Sequence, residues 1–179
     1  AILTHPDLDH LEGLLSVLQK MKVNLVIDNA TDYQDKTYNE FLSLIKQSEE
    51  IVYYKAREGD IVNICKDINI FILNPSRSKC NNNKNNLNNN SIVLKLHYKN
   101  SNFLFTADIE EETELKMISN DIYLKSDVLK VAHHGSIHST CNLFLEEVKP
   151  EIAVISVGSN NFGHPHPDII RKLGDYCQK

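Results

Sequence analysis

The sequence predicts a mixed α/β (α+β) domain in which helices and sheets form separate layers. Two observations predict this class. β-type runs separated by short turns dominate the middle of the chain, and strand and helix patterns alternate in its last third. The length of 179 residues, with 41% apolar residues, supports one core and leaves little room for a second domain. We therefore expect a single domain over residues 1–179.

The first half of the chain carries alternating helical and β-type patterns. Leu11, Leu14, Leu15 and Leu18 recur at helical spacing and predict an amphipathic helix. β-branched and aromatic residues mark the strands, and the turn residues Glu58-Gly59-Asp60 separate two of them. The predicted elements are a helix running to about residue 21, a strand over 23–28, a helix over 38–47, and strands over 51–54, 60–65 and 68–73.

An asparagine-rich segment interrupts this pattern at residues 80–90. Its side chains compete for backbone hydrogen bonds and favour neither helix nor strand, so we expect a mobile loop there. Two β-type runs follow over 91–98 and 102–107, and the polar residues between them predict a hairpin. The remaining predicted elements are a helix over 110–118, a strand over 127–132, a helix over 142–148, a strand over 152–157 and a helix over 167–177.

Composition argues against several classes of protein. The net charge of −5 disfavours a broadly basic nucleic-acid-binding surface, although a bound cation can still attract a polyanion locally. The four cysteines form no C-x-x-C pair, so they indicate neither a zinc ribbon nor a redox motif. Because neither a membrane-length apolar run nor a secretory signal is present, we expect this segment to be soluble and to make no membrane contact itself. The opening "AIL" suggests the end of a strand in an excerpt of a longer protein, which leaves the cellular location open.

The stretch "THPDLDH" places four ionisable side chains, those of His5, Asp7, Asp9 and His10, between a predicted strand and a predicted helix. Ligands gather at such strand ends in α/β proteins. In an extended turn alternate residues point the same way, so His5, Asp7 and Asp9 can converge while His10 turns toward a second centre. The motif predicts a metal site, and the alternative is a solvated loop in which Asp9 caps the helix.

Later clusters support the metal-site hypothesis. Asp108 ends an apolar run, where it is either a ligand or the N-cap of the next helix. His133 and His134 follow another strand, and buried imidazoles need polar partners of the kind that a metal ion supplies. The loop before the last helix adds the polar candidates Asn160, Asn161, His164 and His166, of which His166 is explained more simply by its place before the helix-initiating Pro167.

The order of these motifs resembles that of the metallo-β-lactamase-fold hydrolases. It runs H-x-D-x-D-H, N-N-S-I-V-L with F-L-F-T-A-D, V-L-K-V-A-H-H-G-S and N-N-F-G-H-P-H-P, from Thr4 to about Leu173. More narrowly, it is similar to the hydrolase domain of ComEC-type DNA-uptake (competence) proteins. The resemblance implies an αββα sandwich with a two-metal site in the cleft between its sheets. Since that fold begins with strands ahead of the first motif, we expect this excerpt to lack its first strands.

The resemblance also implies a role for each motif residue. His5 and Asp7 would bind the first metal ion, Asp9 and His10 the second, and Asp108 would bridge both. His134, directly before Gly135, matches the last ligand, and His133 would contact substrate or orient a ligand, although which of the two binds metal stays open. The candidate catalytic residues are Asp9, His133 and His164, and the candidate substrate-binding residues are Asn160, Asn161 and His164.

Two positions depart from the wider superfamily, which commonly has His in place of Asp7 and another His shortly before the "SIVL" strand. The ComEC-like branch shares the first departure. At the second, this chain has Leu87 among asparagines, so the first metal ion would need a water or an Asn as a replacement. Carboxylates and imidazoles suit manganese as well as zinc, and we expect two divalent ions, Zn²⁺ or Mn²⁺.

The expected reaction is hydrolysis by a metal-bound hydroxide. Two ions about 3.5–4 Å apart can hold a bridging water and lower its pKa from about 15.7 toward 7. The resemblance favours a phosphodiesterase or nuclease acting on DNA, single-stranded or nicked, in a segment fused to a membrane channel. The alternatives are a hydrolase of small esters, thioesters or lactams with the same fold, and a non-catalytic nucleic-acid-binding module of a transport protein.

Overall fold

A computed structural model describes residues 1–77 and 87–177 and arranges their strands in two sheets. The strands are β1 (Ile2–Leu3), β2 (Leu25–Asp28), β3 (Val52–Lys55), β4 (Ile61–Cys65), β5 (Ile68–Asn74), β6 (Val93–Tyr98), β7 (Ser101–Phe105), β8 (Val128–Lys130) and β9 (Ile152–Val154). The first sheet, β1-β2-β3, is parallel throughout. The second runs β4 to β9 in chain order, antiparallel as far as β7 and parallel from β7 to β9.

Helices connect the parallel strands, as such connections require. The connecting helices are α1 (Leu8–Lys20), α2 (Lys36–Gln47), α3 (Glu111–Ser119) and α4 (Asn142–Val148), and a fifth helix, α5 (Pro167–Tyr176), follows β9. In the part of the chain that the structure describes, none of them has the length and apolar character needed to cross a bilayer.

Three apolar clusters hold the layers together. Leu11 of α1 and Phe41 of α2 pack on the outer face of the first sheet. Ile27 and Ile72 belong to a second cluster between the two sheets, and Phe144 of α4 belongs to a third between the second sheet and its helices. All five side chains are almost fully buried. The resulting order of layers, helix–sheet–sheet–helix, is the αββα sandwich that the resemblance implies.

A buried carboxylate anchors the first sheet to α2. Asp28, at the end of β2, is fully buried and accepts hydrogen bonds from the hydroxyls of Tyr38 (2.7 Å) and Tyr53 (2.6 Å). Burial raises the pKa of both tyrosines, and the Asp28 carboxylate raises it further. Two charge-assisted hydrogen bonds are the kind of partner that a carboxylate needs in an apolar layer.

The predicted elements are present, with bounds that differ by a few residues. The largest difference is at β9, which ends at Val154 because the chain leaves the sheet there to form an irregular loop. The β6–β7 hairpin has the predicted antiparallel pairing. Of the predicted mobile loop at 80–90, residues 80–86 lie outside the described residues, and Asn88–Asn90 form a single 3₁₀ turn.

Candidate metal centre

Three motifs meet because they follow strands that end at one edge of the sandwich. Thr4 and His5 follow β1, Asp108 follows β7, and the pair 133–134 follows β8. Strands β7 and β8 are parallel neighbours, so their carboxyl ends lie side by side. A hydrogen bond from the Ile92 amide to the Thr4 carbonyl, 2.9 Å long, joins the end of β1 to the start of β6 in the other sheet.

The first helix of the domain does not use its carboxylates as caps. Asp7 has extended backbone angles at the N-cap position, but its side chain makes no capping hydrogen bond within residues 1–77 and 87–177. Asp9 and His10 lie inside the first turn of α1. The alternative interpretation of Asp9 as a helix cap is therefore wrong, and three polar side chains at this helix start are free to face the cleft.

Asp108 is not a cap either. Helix α3 begins at Glu111, and the N-cap position belongs to Glu110. Asp108 lies three residues beyond the end of β7 and is only 4% exposed, directly after Ala107, whose φ of 48° is in the left-handed region. A left-handed backbone costs a non-glycine residue about 1–2 kcal/mol, and such strain is concentrated at functional sites.

Four side chains form a cluster with the geometry of a metal site. One ligand atom each from Asp9, His10, Asp108 and His134 lie within 4.8 Å of one another. Asp108 Oδ2 is 3.3 Å from His10 Nε2 and 3.1 Å from His134 Nε2, and Asp9 Oδ2 is 3.2 Å from His134 Nε2. Two imidazoles and two carboxylates are a ligand set that suits zinc or manganese.

His5 and Asp7 lie beside this cluster. His5 is fully buried, and its Nε2 atom is 3.6 Å from Asp7 Oδ2 and 4.0 Å from Asp108 Oδ2. Among the described residues, that nitrogen has no hydrogen-bond partner. A buried polar atom without a partner is costly, and a metal ion between His5, Asp7 and Asp108 would supply the partner. The residues present therefore fit a second ion next to the first.

Hydrogen bonds behind the imidazoles orient their Nε2 atoms toward the carboxylates. The Thr4 hydroxyl is 3.1 Å from His5 Nδ1 and 3.5 Å from His10 Nδ1. His134 Nδ1 donates to the Ser156 carbonyl over 2.7 Å, which leaves the Nε2 lone pair facing Asp108 and Asp9. Metal-binding histidines commonly have such a second partner, which fixes the ring and its tautomer.

The electrostatics of the cluster favour ionised carboxylates. Burial by itself raises the pKa of Asp108, but hydrogen bonds with His10 and His134 outweigh it, so that the pKa is well below its usual range. The interaction with His5 lowers the pKa of Asp7 as well. In return, the hydrogen bond to Asp108 raises the pKa of His134. Metal binding requires charged carboxylates and neutral imidazoles, so it competes with protonation of His134.

The two adjacent histidines lie in different surroundings. Both have left-handed backbones, with φ of 47° at His133 and 55° at His134, and the turn sends their rings in different directions. His134 Nε2 belongs to the cluster of four. His133 Nδ1 lies 3.8 Å from Glu110 Oε1, outside the cluster, and burial lowers the pKa of its ring. A side chain at Gly135 (φ 81°) would meet Pro165 at 2.7 Å, so this turn requires glycine.

The cluster opens into a cleft of about 800 Å³. His133, His164 and Asn160 line it, but Asn161 does not. The Asn160 side chain is also occupied within its own loop, where Oδ1 accepts from the amides of Phe162 and His164. The structure thus gives Asn160 a part in shaping the loop. His166 caps α5 by accepting from the Asp168 amide at 3.2 Å, as its position before Pro167 predicts.

Asn89, in the 3₁₀ turn before β6, is one asparagine close to the departure at Leu87. Its Oδ1 accepts hydrogen bonds from the Glu110 amide and the Thr113 hydroxyl, both at 2.9 Å. It therefore connects the start of α3 to the 3₁₀ turn. His5, Asp7 and Asp108 are the described side chains that could hold an ion at this position.

Sequence reasoning missed Lys130. Its ammonium lies 3.7 Å from Asp108 Oδ1, the carboxylate oxygen that faces away from the histidines, and donates to the Ala107 carbonyl at 3.2 Å. The side chain is 18% exposed, and burial lowers its pKa even though Asp108 acts in the opposite direction. A lysine at the end of a short strand ordinarily indicates a solvent-facing position, so only its place three residues before the histidine pair could have suggested this role.

Comparisons with curated proteins point to competence proteins, although no protein-family model matches the chain. The chain is 33% identical to ComE operon protein 3 of Bacillus subtilis (strain 168) over 174 residues, 96% of this chain and 22% of that protein. It is 36% identical over 90 residues to Recombination protein 2 of Haemophilus influenzae, and 35% identical over 82 residues to Competence protein ComA of Neisseria gonorrhoeae. These matches cover 50% and 44% of this chain. The chain spans at most 22% of the length of these relatives.

Solved structures share the fold at low sequence identity. One, from Parabacteroides distasonis ATCC 8503, carries the name metal-dependent hydrolase; it has a TM-score of 0.54 at 15% identity and covers 97% of this chain and 70% of its own. The metallo-β-lactamase fold protein YhfI from Bacillus subtilis has a TM-score of 0.53 at 10% identity, and the match covers 98% of this chain and 70% of YhfI. The predicted resemblance to metallo-β-lactamase-fold proteins, and more narrowly to the competence proteins, is confirmed.

Proposed function

We propose that this chain, a metallo-β-lactamase-fold domain of the ComEC-type competence proteins, is a metal-dependent phosphodiesterase that hydrolyses DNA. One observation carries the proposal. Asp9, His10, Asp108 and His134 bring ligand atoms within 4.8 Å of one another at the end of an open cleft. Two relatives are named for recombination and for competence, which are processes that involve DNA, and this favours DNA as the substrate class.

The cluster of four would hold one divalent ion, and His5, Asp7 and Asp108 would hold the other. Asp108 Oδ2 is the atom best suited to be a ligand of both ions. It faces the Nε2 atoms of His5, His10 and His134 at 4.0, 3.3 and 3.1 Å. When bound, such ions lower the pKa of a water molecule and offset the charge of a phosphodiester. Mn²⁺ and Zn²⁺ both suit this mixture of carboxylate and imidazole.

We expect His133 and His164 to contact the substrate. Both line the cleft beside the cluster, with ring centroids 5.6 Å apart. Because burial lowers the pKa of His133, its ring is neutral at pH 7 and can exchange a hydrogen bond with a phosphate oxygen. His164 would donate to the leaving oxygen, and Asp9, which is 64% exposed, would orient the attacking water as well as bind metal.

The acidic composition is compatible with an anionic substrate. Asp7, Asp9 and Asp108 add negative charge at the cleft, but bound divalent ions would reverse the sign of the local field. Lys130 adds a further positive charge 3.7 Å from Asp108 Oδ1. The net charge of −5 is therefore a property of the whole chain rather than of the cleft.

The test is hydrolysis of a labelled single-stranded oligonucleotide in the presence of Mn²⁺ or Zn²⁺. We expect the wild-type chain to release shorter fragments and Asp9→Asn to lose at least about 100-fold in rate, since it removes a ligand and a charge at the reacting centre. Asp168→Asn is the matched control, because Asp168 also lies in the first turn of a helix but outside the cleft. Equal rates for wild type and Asp9→Asn would contradict the proposal.

Two further measurements separate the alternatives. Chromogenic ester, thioester and lactam substrates should be hydrolysed far more slowly than the oligonucleotide, and the reverse order would identify a small-molecule hydrolase of the same fold. Metal analysis of the purified chain should find close to two ions per molecule. A protein that binds DNA but retains no metal would instead be a non-catalytic binding module.

A further inference from the structure

An unusually exposed aromatic ring stands at the mouth of the cleft. Phe162 is 83% exposed, more than any other large apolar side chain that the structure describes, and it lines the cleft. Single apolar side chains on a surface are common and need no explanation. Two features distinguish Phe162: the hydrogen bonds that hold its loop and the histidine rings beside it.

The loop holds Phe162 in a fixed position. Asn160 Oδ1 accepts from the amides of Phe162 (3.0 Å) and His164 (3.1 Å), and its Nδ2 donates to the carbonyls of Gly158 (2.9 Å) and His164 (2.8 Å). These four hydrogen bonds fix the backbone on both sides of the ring. The aromatic side chain is thus presented to solvent by an ordered loop, a form of preorganisation that favours ligand binding.

The ring also begins a row of aromatic groups that leads to the metal-ligand cluster. Phe162 stacks on His164 with centroids 6.0 Å apart and planes inclined by 26°, and His164 meets the edge of His133 at 5.6 Å. His133 precedes the ligand His134 in the chain. Apolar surface from Leu8 (52% exposed) lines the same cleft beside the carboxylates.

This combination of an aromatic face and a metal-ligand cluster in one cleft matches the chemistry of a nucleotide, which joins a flat base to a phosphodiester. A site built only for phosphate would need no exposed aromatic ring. We propose that Phe162 stacks on a base of single-stranded nucleic acid whose phosphodiester lies at the metal cluster. The proposal rests on the proposed function for its reacting group, but the stacking contact itself is a binding property and can be tested without hydrolysis.

Base stacking on an aromatic side chain contributes about tenfold or more to affinity per base and tolerates any base, because each has a π face. The experiment measures the affinity of the chain for two fluorescent 12-residue probes by anisotropy. One is oligo(dT), and the other has the same phosphate backbone with abasic residues in place of every thymidine. The same affinities are also measured with the Asp9→Asn substitution present, so that cleavage does not consume the probe.

We expect oligo(dT) to bind at least tenfold more tightly than the abasic strand. Phe162→Ala should remove most of this difference by weakening only the binding of oligo(dT), and Phe162→Trp should preserve it. Tyr123→Ala is the matched control, because Tyr123 is an aromatic side chain that is 71% exposed but lies outside the cleft. It should change neither affinity. Circular dichroism of each variant checks that the chain is folded.

Two results would overturn the stacking proposal. One is equal affinity of the wild-type chain for both strands, and the other is a Phe162→Ala variant that weakens both strands by the same factor, which would indicate a general effect on the loop. A preference for oligo(dT) that depends on Phe162, in a chain that cleaves no DNA, would support the stacking contact and contradict the proposed function. The affinity measurements thus test the stacking contact, and the cleavage assay separately tests hydrolysis.

Discussion

Replacement of Lys130 by methionine tests whether the Lys130 ammonium stabilises the Asp108 carboxylate in the metal-free chain. The substitution keeps most of the side-chain volume and removes one positive charge 3.7 Å from Asp108 Oδ1. For a unit pair at that distance, an effective dielectric constant of about 20 gives an attraction of about 4.5 kcal/mol. Removing the ammonium also removes the cost of burying it, so we expect the metal-free chain to lose about 3 kcal/mol of unfolding free energy.

Metal should compensate for much of this loss. Divalent ions at the cluster place positive charge on Asp108 and so replace part of the attraction that Lys130 supplied. Ligands that bind only the folded state stabilise it in proportion to the logarithm of their concentration over Kd. The variant should therefore bind the ions more tightly than wild type, and the stability difference should shrink when Mn²⁺ is added.

The assay is urea unfolding, followed by circular dichroism, with EDTA and with saturating Mn²⁺. Lys95→Met is the matched control. Lys95 is a buried lysine in β6 that donates to the Tyr123 carbonyl, so its loss should destabilise the fold equally with and without metal. A Lys130→Met loss below about 1 kcal/mol in EDTA, or a loss that Mn²⁺ leaves unchanged, would refute the reasoning.

Three other measurements test how His134, Gly135 and Tyr38 contribute to the stability of the fold. Asp108 raises the pKa of His134 in the folded chain. The stability that this interaction adds to the metal-free chain is therefore complete below the unfolded pKa of about 6.5 and is lost as the pH rises through the folded pKa. Urea unfolding in EDTA should show this decline in unfolding free energy, and His134→Gln should abolish it. Gly135→Ala places a side chain at a φ of 81° against the next loop and should cost about 2 kcal/mol or more, and a loss under about 0.5 kcal/mol would contradict the steric reasoning. Tyr38→Phe removes one of two hydrogen bonds to the buried Asp28 and should lower the unfolding free energy by about 1–3 kcal/mol in a denaturant titration, whereas an unchanged midpoint would show that the bond contributes nothing.

The sequence by itself determined the elements and the chemistry that they carry. Helix α1 and the β6–β7 hairpin follow from the spacing of leucines and from alternating β-type runs, which are local properties of the chain. The candidate ligands His5, Asp108 and His134 are likewise visible in the sequence, because each follows an apolar run that ends abruptly.

The tertiary structure decided which of these groups meet. From the sequence, Asp9 and Asp108 can each be either a helix cap or a metal ligand, and only the packed fold shows that their helices begin elsewhere and that both face His134. Lys130 became part of the site because β8 lies beside β7, a pairing that brings residues more than 20 positions apart within 4 Å. Such contacts depend on strand order and on backbone turns with positive φ, which are set by long-range packing rather than by local residue preference.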